Sequence, residues 1–128
     1  MAIKFKAVPK KNPLNLAQPV KYYPQVITNG AADLRELAGE ISQMSTVSST
    51  DTIAVVEALL NVIPTTLGSS RIVRLGDFGT FSLSVSGEGA ATPEELSSQH
   101  IQKLSVNFRP GKVFLEALNK VPFKKTGQ

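Results

Sequence analysis

The sequence predicts an α+β fold on three observations: two helical patterns in tandem between residues 33 and 68, strand-like segments at 71–75, 80–85 and 104–108, and a last helical stripe after Pro110. A further β-like stretch leads the chain. With 128 residues and 41% hydrophobic content, the chain has the size and apolar content of a domain folded around one core.

Ile3, Phe5 and Ala7 alternate with Lys4 and Lys6, the period of a half-buried strand with a basic outer face. Pro9, Pro13 and Pro19 bracket a loop, because proline removes ladder donors and fixes the backbone. Val20 to Thr28 is rich in β-branched and aromatic residues, and Pro24 within it points to an edge strand or a bulge. Leu34, Leu37, Ala38, Ile41 and Met44 then recur at helical spacing, with Asp33 and Glu36 as a capping box. A second helical pattern carries Ile53, Val56, Leu59, Leu60, Ile63 and Leu67, with Asp51 near its start. Pro64 is expected to kink it or force a looser last turn, and Gly68 to end it.

Gly76, Asp77, Phe78 and Gly79 join two strands in a corner where the glycines supply positive dihedrals. After the small-residue patch from Gly87 to Ala91, Thr92, Pro93 and Glu95 form a helix start, and a short helix ending near Gln99 is expected. Leu104, Val106 and Phe108 alternate as the third main strand. The last helix opens at Pro110 and Gly111, with Phe114, Leu115, Leu118 and Val121 as its apolar stripe, and the basic tail from Pro122 to Gln128 is expected to fray.

The net charge of +4 is distributed unevenly: residues 1–30 carry +5, residues 31–70 carry −4, and the remainder carries +3. Basic blocks flanking an acidic one suggest a polyanion on one side of the protein. The chain has no cysteine, which fits a reducing cytoplasm, and no run of about 18 apolar residues, so no membrane partner is expected. The one histidine, His100, has no cysteine or metal-ligand spacing beside it, and Asp51 with Glu57 is better placed as helix surface than as a catalytic pair. Phosphate-loop and dinucleotide fingerprints are missing from the sequence as well. A non-enzymatic protein with no cofactor, no metal and no small-molecule substrate is the expectation.

Two motifs carry a family resemblance. Leu75-Gly76-Asp77-Phe78-Gly79-Thr80-Phe81 resembles the glycine-phenylalanine-glycine-x-phenylalanine corner of the bacterial histone-like HU/integration host factor family, with Asp77 standing where the first glycine would be. Phe108-Arg109-Pro110-Gly111-Lys112 resembles its phenylalanine-basic-proline-glycine-lysine junction before the final helix. The resemblance covers roughly residues 33–121, and the leading basic strand makes the chain similar to the longer HU-related proteins of Bacteroides-type bacteria. It implies an HU/IHF-like fold: two helices, a three-stranded antiparallel sheet with a modified arm, a C-terminal helix and an added N-terminal β extension. The expected organisation is a basic extension over 1–30, a DNA-binding domain over 31–121 and a basic tail over 122–128.

The function so implied is sequence-tolerant binding of double-stranded DNA by a nucleoid-associated homodimer, with a monomer whose core the N-terminal strands cap as the alternative. Arg109, Lys112 and Gly111 form a phosphate site at a helix start, Arg71, Arg74 and Lys103 extend it, and Lys4, Lys6, Lys10, Lys11 and Lys21 assist. Lys124 and Lys125 add tail contacts, and Tyr22 and Tyr23 are either core or base-stacking residues. One departure limits the comparison. HU arms are rich in lysine and arginine and wedge a proline between base pairs, whereas this chain has neither cation between Arg74 and Lys103, and its Pro93 suits a helix start. Reduced or altered bending follows, and a protein-interaction module on the same fold is the alternative.

Overall fold

The computed structural model describes residues 1–127 and has three α-helices and two three-stranded sheets. The chain divides into two compact units: residues 34–116 form one, and residues 1–33 together with the chain from Ala117 onward form the other.

In the larger unit, α1 (Leu34–Met44) is followed by α2 (Ser49–Gly68). The Ser48 hydroxyl accepts from the Asp51 amide at 3.1 Å, so a serine not singled out in the sequence caps α2. Pro64 does not end the helix, which runs four residues further. Nearby, the Thr65 and Thr66 hydroxyls donate to the carbonyls of Asn61 and Val62 at 2.8 and 2.9 Å. The expected stop at Gly68 also differs in detail. Gly68 is the last helical residue, and the left-handed position falls on Ser70, with φ of 64°, whose amide bonds the Leu67 carbonyl.

The sheet of this unit has the order β3-β4-β5, antiparallel throughout, from β3 (Val73–Arg74), β4 (Gly79–Gly87) and β5 (Ile101–Pro110). The expected helix near 92–99 is corrected. Thr92 to Leu96 forms successive turns, followed by a single 3-10 turn at Ser98–His100. So short a segment does not recover the cost of helix nucleation, and Leu96, 57% exposed beside Val85 and Ile101, adds little apolar burial to offset it.

Strand alternation gives this sheet two unlike faces. Phe81, Leu83, Leu104 and Val106 join Val56, Leu59, Leu60 and Ile63 of α2 around an open cleft of about 610 Å³. Among the described residues only Ala38 and Leu67 are buried apolar groups, while Leu60, Leu104 and Val106 are more than 60% exposed. The core of the isolated chain is therefore thin. By length and composition α2 is one helix that would suffice to cross a membrane. Its Val56, Leu59, Leu60, Ile63 and Leu67 line the cleft, while Val55 and Val62 are more than half exposed outside it.

In the smaller unit, β1 (Ile3–Lys10) pairs antiparallel with β2 (Lys21–Val26) and parallel with β6 (Phe123–Lys125). The order β2-β1-β6 makes β2 an edge strand, where Pro24 costs no ladder bond. Over its described residues the tail does not fray as expected, and Gln128 lies outside them. β1 offers a second row of backbone groups, and the tail pairs with it through Ile3 N to Pro122 O and Thr126 N to Phe5 O, both 2.9 Å. The last helix, α3 (Lys112–Asn119), is two residues shorter than its apolar stripe, and the division between units falls within it, after Glu116.

Candidate nucleic-acid interface

The face of the β3-β4-β5 sheet opposite the cleft is polar. Thr80 pairs with Arg74 on one side and Arg109 on the other, which sets two guanidinium-bearing residues in one row across three strands. Along the same face follow the pairs Ser82–Asn107, Ser84–Ser105 and Ser86–Lys103. Asn107 Nδ2 donates to Ser84 Oγ at 3.0 Å. Strand positions on this face carry hydroxyls, an amide and three cations and no carboxylate, and Ile72, Arg74, Thr80, Ser82, Asn107 and Arg109 line a shallow depression on it. Arg71, just before β3, is exposed.

The corner motif holds this face to α3. Gly76 and Gly79 take φ of 58° and 151°, and the Leu75 amide bonds the Gly79 carbonyl at 2.9 Å. A Cβ on Gly79 would meet the Arg109 carbonyl at 2.6 Å and the Phe108 ring, so only glycine lets β4 and β5 approach here. Phe78, Phe81, Phe108 and Phe114 pack with ring centroids 5.0–6.2 Å apart, joining corner, sheet and helix.

Gly111 differs from expectation in one respect. Its amide donates to the Phe78 carbonyl at 3.0 Å, and a Cβ there would collide with the Asp77 backbone. It is a close-packed junction between corner and helix, and its own amide is engaged. The Leu115 amide bonds the Gly111 carbonyl at 3.0 Å, so helix geometry leaves the amides of Lys112, Val113 and Phe114 ahead of the ladder, with the exposed Lys112 side chain beside them.

The remaining lysines belong to the smaller unit. Lys4, Lys6, Lys10 and Lys21 share one face of its sheet, and Lys11 lies in the following loop. Lys124, opposite Lys4, joins them, which the sequence treated only as a tail contact. The tyrosines separate: Tyr23 lies on the lysine face, with Lys10 Nζ 5.7 Å from its ring centroid, and Tyr22 lies on the other with Phe5 and Val26. His100 accepts the Ser97 amide through Nδ1 at 3.1 Å and so braces the 3-10 turn.

Fold and corner together define an α+β protein of HU type. A family profile described as HU-HIG, an HU domain fused to a wHTH, Ig or glycine-rich motif, matches residues 1–125. The chain belongs to this family, and the match takes in the leading β extension as well as the helical domain. No curated protein matches. Among solved structures, a protein of Bacteroides vulgatus ATCC 8482, provisionally named a bacterial DNA-binding protein, superposes with a TM-score of 0.71 at 15% identity. The alignment covers 99% of this chain and 49% of that one, so the chain spans about half the length of its solved relative. At this identity the likeness establishes the fold.

Proposed function

We propose that the protein binds double-stranded DNA without strong sequence preference and without catalysis, as a nucleoid-associated protein of the cytoplasm. The observation that carries this reading is the row Arg74-Thr80-Arg109 on a sheet face free of carboxylates. Guanidinium groups pair with phosphates in a planar fork, the hydroxyls of Thr80 and Ser82 donate to phosphate oxygens, and condensed counterions are released. Lys112 and the free amides of α3 add a phosphate site, while Arg71 and Lys103 extend the surface and Gly111 sets its geometry. Lys4, Lys6, Lys10, Lys11 and Lys21 contribute from the extension, which with the domain over 31–121 and the basic tail completes the proposed organisation.

The arm between β4 and β5 has no lysine or arginine and carries Glu88, Glu94 and Glu95, so it resists lying in a minor groove and bending is weak. The apolar cleft between α2 and the sheet supports an HU/IHF-like homodimer, because a second copy would cover side chains that the chain alone leaves in water. Replacing Arg74 and Arg109 by glutamine is expected to weaken binding to a mixed-sequence duplex by about 5-fold at 100 mM salt, equally for unrelated sequences. Unchanged affinity would remove this face from the interface.

A second reading is favoured by one observation: residues 34–116 carry six cations against nine carboxylates. An acidic HU-type domain suits a protein partner, and in that case the chain would not bind duplex DNA even at low ionic strength.

A further inference from the structure

Folding redistributes charge in a way the linear blocks conceal. Pairing of the two chain ends collects eight lysines against one carboxylate, Asp33, in the smaller unit, a net +7, while the larger unit is net −3. Within the smaller unit the lysines are ordered. Lys4, Lys6 and Lys10 point to one side of β1, Lys21 stands directly opposite Lys10 on β2, and Lys124 directly opposite Lys4 on β6.

Like charges placed directly across a ladder destabilise a sheet. Here two such pairs share one face, the face's remaining strand positions are Val8, Tyr23 and Gln25, and no carboxylate stands among them. Such an arrangement is balanced when an anion lies across it. We propose that this lysine face is the chain's principal phosphate-binding surface and lies along the backbone of duplex DNA, an inference that rests on the DNA-binding reading above and reverses its order of importance. Lys4 to Lys10 span about 20 Å at strand rise, and that length of duplex presents about a dozen phosphate charges.

The commitment to DNA over a lipid surface rests on the DNA-binding reading, and the vesicle comparison below decides it. In this sheet Phe5, Tyr22, Val26 and Phe123 occupy the side away from the lysine row, with Lys125 the one cation among the strand positions there. Lysine also suits the task, since its mobile point charge follows phosphates without fixing a base sequence.

The test compares two variants of the full chain with equal loss of charge: Lys4, Lys10 and Lys124 changed to glutamine, against Arg74, Lys103 and Arg109 changed to glutamine. Duplex affinity is measured by fluorescence anisotropy between 50 and 300 mM salt. The lysine variant is expected to lose about 30-fold at 100 mM and to lower the salt slope by between 2 and 3, with the sheet variant losing several-fold less. Its melting temperature should stay level or rise, because two repulsive pairs are removed, and this separates lost contact from lost fold. A loss no greater than that of the sheet variant overturns the inference while duplex binding itself stands. Absence of duplex binding by the parent chain overturns the DNA reading as well. Tighter binding of the parent to phosphatidylglycerol vesicles than to duplex at equal salt assigns the face to membranes and also overturns it.

Discussion

Gly76 and Gly79 sit three residues apart in the same corner, yet their substitution is expected to differ sharply. Alanine at Gly76 meets nothing within 4 Å and pays only for φ of 58°, about 1–2 kcal/mol. Alanine at Gly79 combines φ of 151° with contact on the Arg109 carbonyl and Phe108, so about 3 kcal/mol or more is expected. Thermal or urea unfolding of the two variants checks the contrast, and equal losses would contradict the close approach of β4 to β5. The same geometry explains why Asp77 can replace a family glycine: among the described residues Ser70 alone has positive φ without being glycine, so position 77 makes no demand for one. The corner and the junction at Gly111 were therefore legible as motifs, because backbone constraint leaves a residue-type signature. Which amide Gly111 spends on Phe78 was not, since that bond joins residues 33 apart in sequence.

Among the elements, α2 and the β4-β5 ladder were visible from periodicity, and their unpartnered faces are a consequence of that same periodicity. Helical spacing put Val56, Leu59, Leu60 and Ile63 on one side, and strand alternation put Phe81, Leu83, Leu104 and Val106 on another. If a second copy covers this cleft, Leu60→Asp should shift the chain from dimer to monomer at micromolar concentration by light scattering, with a lower melting temperature. A monomeric parent chain would contradict the proposed dimer. The segment at 92–99 misled because Thr92, Pro93 and Glu95 carry the local marks of a helix start while the next residues supply no apolar stripe to dock. β6 was missed for the opposite reason. Three residues of lysine and phenylalanine hold no strand period, and their partner on β1 lies about 120 positions away.

For the whole molecule, charge is the property that sequence order misrepresents. Blocks along the chain gave +5, −4 and +3, whereas the folded units carry +7 and −3, because the last strand returns to the first. The consequence is an HU-type domain that is mildly acidic taken by itself, joined to a strongly basic small sheet. Affinity for DNA should then be dominated by electrostatics, indifferent to sequence and accompanied by little bending, because the arm is without cations. A bend angle measured by energy transfer between duplex ends should fall well short of the range reached by proteins that wedge the minor groove. Titrating a mixed-sequence duplex at increasing salt tests the central claim most directly. The account predicts a linear fall of log K with log salt, of slope about −4 to −6, unchanged when the sequence is shuffled; absence of binding at 50 mM salt, or a slope near zero, would contradict it.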